Sequence, residues 1–333
     1  MPAKREAKRA KAGAKSHVIG VDLGGTNIVF ALTDLNAKIL HRFKMPTLAQ
    51  EGRDKVLARM AEGVLRVLDE SGVAAASVQG VGVGTPGPIN SRQGVMYSAP
   101  NLPGFKNTPI KAYLERKTGL RVHLENDANA AAFGEHWAGA GKGTSEMIML
   151  TLGTGVGGGI IMGGQLYSGC DDTAGEFGHM VIDPSGPLCG CGQRGCLEQY
   201  GSATAIARRA REAVLAGTQS SLLTMAEGDP GKISSRLVHQ AAKDGDQLAR
   251  QVWSDTAVFL AIGIANLVNI FNPQMVVLGG GVMLAGADLL GPIRREVLNR
   301  AFDRPARSAK IVAAELGDDA GVIGAAAVAI ARA

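Results

Sequence analysis

Apolar residues first fall in short alternating runs and then shift to helical spacing. The runs at 18–23 and 28–33, joined by Gly24-Gly25-Thr26-Asn27, predict two strands with a hairpin-type connection, and 39–45 predicts a third. Between 54 and 71 the period changes: Val56, Leu57, Met60, Val64, Leu65 and Leu68 recur on one helical face. A strand over 78–83 stops at the rigid turn Thr85-Pro86-Gly87-Pro88. A polar loop then carries Asn101-Leu102-Pro103-Gly104-Phe105, and a short helix over 110–117 leads into a strand over 121–124.

A second set of elements follows Glu125-Asn126-Asp127. It comprises a small-residue helix over 128–137, a strand over 146–151, the glycine turn Gly153-Thr154-Gly155-Val156-Gly157-Gly158-Gly159 and a strand over 160–162. Residues 202–271 are mostly helical in pattern, and a strand over 275–278 ends in Gly279-Gly280-Gly281. A helix over 289–302, a strand over 310–313 and an alanine-rich helix over 319–331 close the chain. Glycine-rich strand turns thus occur once early and once in the middle, which suits two related α/β domains facing each other across a cleft.

Composition adds little to this until charge is located. A chain of 333 residues has room for two domains, and its 46 glycines against 4% aromatics favour close packing of helix on strand. The net charge of +5 is carried by Lys4, Arg5, Lys8, Arg9, Lys11 and Lys15 against Glu6, so the remainder is neutral. This start reads as a disordered, solvated basic tail rather than a nucleic-acid surface. It lacks the apolar segment of a secretory signal, and the longest apolar stretch, 257–271, is short for a bilayer and interrupted by Asn266 and Asn269. A cytoplasmic protein without membrane or nucleic-acid partners is expected.

Candidate chemistry is concentrated in a few places. His179, Cys189, Cys191 and Cys196 run as His-x9-Cys-x-Cys-x4-Cys, three thiolates and an imidazole that suit the closed tetrahedral shell of structural zinc. Disulfides fit less well, because Cys189 and Cys191 stand too close to bond without strain. Cys170 is left over and reads as a small buried residue. Glu176 and Glu198 bracket the cluster, which suggests a metal that shapes a loop of hydrogen-bonding carboxylates.

The glycine segments permit two readings: simple tight loops, or backbone cradles for phosphate. Asp22 at the end of an apolar strand is best explained by a cation, such as magnesium held through water. No Gly-Lys-Ser/Thr follows either turn, and neither opens directly onto a helix, so Walker and Rossmann sites are excluded. Asp127 stands where a strand hands over to a helix. It reads equally as a helix N-cap and as a base that accepts a hydroxyl proton.

Four segments carry a family resemblance that runs from about residue 18 to the end. Asp22-Leu23-Gly24-Gly25-Thr26, Leu152 to Gly159, Glu176-Phe177-Gly178-His179 and Cys189-Gly190-Cys191-Gly192-Gln193-Arg194-Gly195-Cys196-Leu197-Glu198 resemble the ROK family (repressor, open reading frame, kinase), and within it the bacterial glucokinases that use ATP. The resemblance implies an actin-like ATPase, ribonuclease H-like α/β fold. The small domain would span 17–127 plus 318–333 after a tail over 1–16, and the large one 128–317 with the metal loop at 179–196. It implies ATP-dependent phosphorylation of glucose at the 6-hydroxyl, with Asp127 as general base.

By the same resemblance, Asn126, Asp127, Glu176, His179 and Glu198 meet the sugar, with Gly87 and Asn101 lining its pocket. ATP and Mg2+ would meet Asp22, Gly24, Gly25, Thr26, Asn27, Gly153, Thr154, Gly155, Val156, Gly157, Gly158, Gly279, Gly280 and Gly281. Structural Zn2+ would be held by His179, Cys189, Cys191 and Cys196, and a homodimer is usual for such a family. Kinases of N-acetylglucosamine, N-acetylmannosamine, fructose, mannose or allose share these motifs, and polyphosphate replaces ATP in some relatives. A sugar-sensing repressor of the same family needs an N-terminal helix-turn-helix of some tens of residues, whereas seventeen residues precede the first strand here.

Overall fold

The structure is a computed structural model and describes residues 15–99 and 101–332; the basic tail falls almost wholly outside them. The chain divides into two compact units. One is built from the residues up to Glu125 together with those from Ala325 onward; the other is Asn126–Gly324.

The first unit contains β1 (His17–Leu23), β2 (Asn27–Asp34), β3 (Ile39–Pro46), α1 (Arg53–Ser71), β4 (Val78–Thr85), β5 (Ile89–Asn90), β6 (Val95–Ser98), β7 (Lys106–Thr108), α2 (Ile110–Thr118) and β8 (Val122–Asn126). Its main sheet has the order β3-β2-β1-β4-β8, with β1 antiparallel to β2 and parallel to β4. Central β1 is largely buried along its length, while half-buried and exposed residues alternate along edge strand β3. That alternation leaves Arg42, Lys44 and Pro46 facing out, which discourages edge-to-edge pairing. The small sheet β5-β6-β7 lies in a segment whose sequence reads only as turn and loop.

The second unit repeats the plan. It holds α3 (Asp127–Ala138), β9 (Met147–Leu152), β10 (Val156–Met162), β11 (Gln165–Leu166), α4 (Glu198–Gly201), α5 (Ala203–Leu215), α6 (Leu222–Met225), α7 (Ser235–Lys243), α8 (Gln247–Phe271), β12 (Met275–Gly279), α9 (Ala287–Arg300), α10 (Asp303–Ser308) and β13 (Lys310–Ala313). The final helix, α11 (Ala320–Ala331), runs from this unit into the first. The sheet order is β11-β10-β9-β12-β13, again with antiparallel hairpins on one side of a central strand and a parallel neighbour on the other. Two copies of one sheet plan are the duplicated arrangement of an actin-like ATPase, as the sequence leads one to expect.

Two expectations need correction. The strand placed at 160–162 begins at Val156, so Gly157, Gly158 and Gly159 are not turn residues but pair with Thr151, Leu150 and Met149. The apolar stretch 257–271 belongs to the longer α8, whose first turn Asp246 caps by accepting from Ala249 N at 2.8 Å. By length and composition alone this 25-residue helix could cross a bilayer, but half of its most apolar window is buried. Leu260, Ile264 and Val268 belong to the same core cluster as Ile148, Leu150 and Leu278, which is the burial of a core helix.

The glycines of β10 are there for contact. A Cβ on Gly159 would lie 2.5 Å from Ala132 Cβ of α3, and one on Gly157 2.9 Å from Ala128 Cβ. On the opposite face, a Cβ on Gly158 would lie 2.3 Å from the Phe177 ring and 2.7 Å from Gly175 O. Strand alternation therefore seats a helix on one face of β10 and the Gly175–Phe177 backbone on the other.

Two buried carboxylates tie remote segments together. Glu135, in the last turns of α3, accepts from Ala140 N at 2.9 Å, from Glu315 N at 3.0 Å and from Leu316 N at 2.8 Å. In the first unit, Arg332 bonds Leu124 O at 3.0 Å and pairs with Glu125, a fully buried residue, at 2.5 Å. A charge so enclosed is tolerable only with such partners.

Because Gly158 has backbone and ring against it, Gly158→Ala is expected to destabilise the protein by about 1–3 kcal/mol. A thermal melt checks this, and a Tm equal to wild type would show that β10 has room for a side chain.

Candidate active site and metal centre

The handover from β8 to α3 has a clear division of labour. Asn126 is the N-cap: its Oδ1 accepts from Ala128 N at 2.9 Å and Asn129 N at 3.2 Å. Asp127, the first helical residue, also accepts from Ala128 N, at 2.8 Å. The cap reading that the sequence left open for Asp127 thus passes to its neighbour. Burial raises the Asp127 carboxyl above its ordinary range and the nearby Glu176 charge adds to this, while backbone N–H groups and Asn126 pull the other way.

Glu176 leads the short 3-10 turn Phe177–His179 and lies 3.9 Å from His179 Nε2 through its Oε2. The other ring nitrogen, His179 Nδ1, lies 3.7 Å from Cys189 Sγ, and Cys191 Sγ is 3.6 Å from Cys196 Sγ. The four ligand atoms of His179, Cys189, Cys191 and Cys196 all stand within 4.8 Å of one another. Three sulfurs and one imidazole nitrogen converging in this way fit a tetrahedral thiophilic ion. With no cation acting on it, burial together with the neighbouring sulfurs pushes the Cys196 thiol up to about 12, a charge deficit that a divalent ion would reverse. Cys170, expected to be buried, is exposed and stands apart from this group in the loop after β11.

Sequence gave no sign of how the metal loop is fastened. Tyr200 Oη donates to Asp183 Oδ2 at 2.8 Å; burial, then this bond, push the phenol up to about 12, so it remains a donor. The segment after Cys196 reaches the glycine turn before β10. Glu198 Oε2 accepts from Val156 N at 2.9 Å, Ala203 N donates to Gly153 O at 2.8 Å, and Thr204 Oγ1 donates to Thr154 O at 2.8 Å. Ser202 is the only sequence-readable part of this, as the N-cap of α5.

Among the described residues, Gly153 N is engaged by Gly155 O and Val156 N by Glu198, while Thr154 N and Gly155 N have no protein acceptor. Gly280 lies against Leu152, where a Cβ would be 2.6 Å from the carbonyl oxygen, so 279–281 and 153–155 adjoin. Gly157 and Gly158, counted in the cradle on sequence, are strand residues.

The remaining candidates belong to the first unit. Asp22 is half-buried at the end of β1, opposite Val29 of β2 and Gly84 of β4. The turn beyond it exposes Gly25, Thr26 and Asn27, and Thr47 holds it through Gly24 O at 2.6 Å and Thr26 O at 2.8 Å. Asn101 Cβ stands 3.2 Å from where Gly25 would carry a side chain. Gly87, at φ 78°, turns the chain between β4 and β5.

The chain and its fold have counterparts among known proteins. The ROK family profile matches residues 18–332, and the chain belongs to that family. The glucokinase of Thermotoga maritima is 40% identical over 314 residues, 94% of this chain and 97% of that protein. A ROK family glucokinase from Streptomyces griseus, solved in complex with glucose and AMPPNP, is 37% identical with a TM-score of 0.78, covering 93% of this chain and 98% of that one. The xylose repressor of Caldicellulosiruptor bescii is 32% identical over 307 residues, 92% of this chain and 76% of the repressor.

Two outcomes follow from this geometry. The Asp127 carboxyl titrates above its unfolded value, so the native state binds the proton more tightly and stability falls as pH rises between the two values. Asp127→Asn keeps an acceptor for Ala128 and removes the charge, and is expected to raise Tm at neutral pH; no gain would argue against a buried charge. Cys191→Ser is expected to lose stoichiometric metal and lower Tm, whereas metal retained by elemental analysis would remove Cys191 from the ligand set.

Proposed function

We propose that this chain is a sugar kinase that uses ATP to phosphorylate glucose at the 6-hydroxyl, with Asp127 as general base. The observation that carries the reading is the pair Asn126-Asp127. Asn126 caps the helix, which leaves Asp127 as a carboxylate held with a raised proton affinity at the start of α3. Phosphoryl transfer asks the protein for position, charge neutralisation and somewhere for the hydroxyl proton to go. A carboxylate whose proton affinity lies closer to that of the reacting group accepts the proton more readily as the oxygen attacks.

Sugar hydroxyls would be recognised by Asn126, Glu176, His179 and Glu198, with Gly87 and Asn101 from the first unit. Carboxylates and amides suit a polyol because each pairs hydroxyls that would otherwise be buried unsatisfied. His179 would present Nε2 to the sugar, the nitrogen on the Glu176 side. Phosphates would be received by the Gly24-Gly25-Thr26-Asn27 turn and by Thr154 N and Gly155 N, with Gly279–Gly281 toward the nucleoside. Asp22 would hold Mg2+ through water. Zn2+ bound by His179, Cys189, Cys191 and Cys196 would supply a tetrahedral crosslink and take no part in the reaction. The names of the relatives from Thermotoga maritima and Streptomyces griseus support glucose and ATP.

A coupled assay with ATP over glucose, mannose, fructose, allose, N-acetylglucosamine and N-acetylmannosamine tests the substrate. Glucose is expected to give the highest kcat/KM, and faster turnover of an N-acetylhexosamine would overturn it. Asp127→Asn is expected to retain glucose binding while kcat falls by about two to four orders of magnitude. The acid limb of wild-type kcat should lie above the ordinary carboxylate range, because the base must lose its proton and burial makes that harder. The repressor relative favours a second reading, sugar sensing without catalysis; absent turnover on every sugar, with salt-dependent binding to duplex DNA, would support that one instead.

A further inference from the structure

Both ends of the metal loop press on the same short piece of backbone. At its start, the turn that bears His179 lies along β10. A Cβ on Gly178 would stand 2.1 Å from Val156 O, and Phe177 and Gly175 pack against Gly158. At its end, the residues after Cys196 take hold of the preceding turn through three hydrogen bonds: Glu198 to Val156 N, Ala203 N to Gly153 O and Thr204 Oγ1 to Thr154 O. Gly155 has to be glycine for this, since a Cβ there would lie 2.3 Å from Glu198 Oε2. Val156 is therefore gripped on its carbonyl side by one segment and on its N–H side by the other.

Besides the candidate metal ligands, protein hydrogen bonds join the two segments, among them Tyr200 Oη to Asp183 Oδ2 and Gly195 N to Pro187 O. Leu197 N donates to Met180 O and Ile182 N to Gly195 O, both at 2.9 Å. The thiol and imidazole contacts at 3.6 and 3.7 Å are weak without an ion. An ion shared by His179 and the cysteines would close the loop covalently in effect, and its binding free energy would be available to hold the surrounding structure.

We propose that the metal loop clamps the turn Gly153-Thr154-Gly155, and that metal binding thereby sets the affinity for nucleotide. This rests on the reading of that turn as phosphate-binding. Donors at Thr154 N and Gly155 N can receive a phosphate only if the turn keeps its shape, and the clamp supplies that shape before any ligand arrives. Glu198 acts here through its acceptor oxygen, a role separate from its place beside the sugar, and Thr204 is a positioning residue.

Titration calorimetry of Mg2+-AMPPNP in the absence of sugar tests the proposal. Metal-loaded protein should bind about tenfold more tightly than metal-stripped protein, a coupling of the usual size for linked sites. Glu198→Ala, which leaves all four metal ligands in place, should weaken AMPPNP binding. Glu198→Gln should keep wild-type affinity because its amide oxygen still accepts from Val156, and Thr204→Val should weaken binding more mildly. Equal affinity in metal-loaded and stripped protein, or wild-type affinity in Glu198→Ala, would overturn the clamp.

If the metal-loaded wild type fails to bind AMPPNP at all, the nucleotide reading of the turn falls instead. Hydrogen exchange over 152–160 then judges the clamp alone. Faster exchange on metal removal supports it, and unchanged exchange overturns it.

Discussion

Three consecutive glycines in a strand let neighbouring elements come within van der Waals contact on both of its faces, and the second unit is arranged around one such run, in β10. Gly157 and Gly159 of β10 admit α3, the helix that starts with Asp127, while Gly158 admits the turn that carries Glu176 and His179. The two groups are brought together by what β10 lacks. A single methyl added on either face would push the helix or the turn away, and the relation between Asp127 and Glu176 would go with it.

The electrostatics follow from that proximity. Asp127 loses hydration and gains a like-charged neighbour, so its ionised form costs free energy that the fold has to offset elsewhere. The offset lies partly in a capped helix N-terminus, with Asn126 satisfying the backbone there, and partly in the positive end of the helix dipole. One sulfur of the His-Cys cluster meets the same difficulty. Burial and the neighbouring sulfurs hold the Cys196 thiol against ionisation, and a bound cation would reverse that.

Much of this was legible in the chain. Strand and helix periods located nearly every element of both sheets, and the spacing of His179, Cys189, Cys191 and Cys196 announced a cluster that the fold does assemble. Glycine was the harder letter to read. Gly153 to Gly159 looks in sequence like one long turn, yet only its first part is a turn, since the same residue serves tight loops and close packing alike. Thr204 gave no signal at all, because a hydroxyl that bonds a carbonyl fifty residues away leaves no local pattern. Cys170 misled in the other direction: cysteine is usually buried, and here the loop after β11 exposes it.

Glu135 and Glu125 also bear on when the molecule becomes complete. The donors that enclose Glu135 arrive 180 and 181 residues later in the chain, and the arginine that pairs with Glu125 arrives 207 residues later. Synthesis runs from the N-terminus, so each carboxylate waits for these partners while that many further residues are made. The far end of the helix that bears Asp127 gains the two later donors to Glu135 once the residues just after β13 emerge. A nascent chain thus holds α3 without these bonds until residues 315 and 316 have left the ribosome, and one stalled before them leaves the Glu135 carboxylate short of two of its donors.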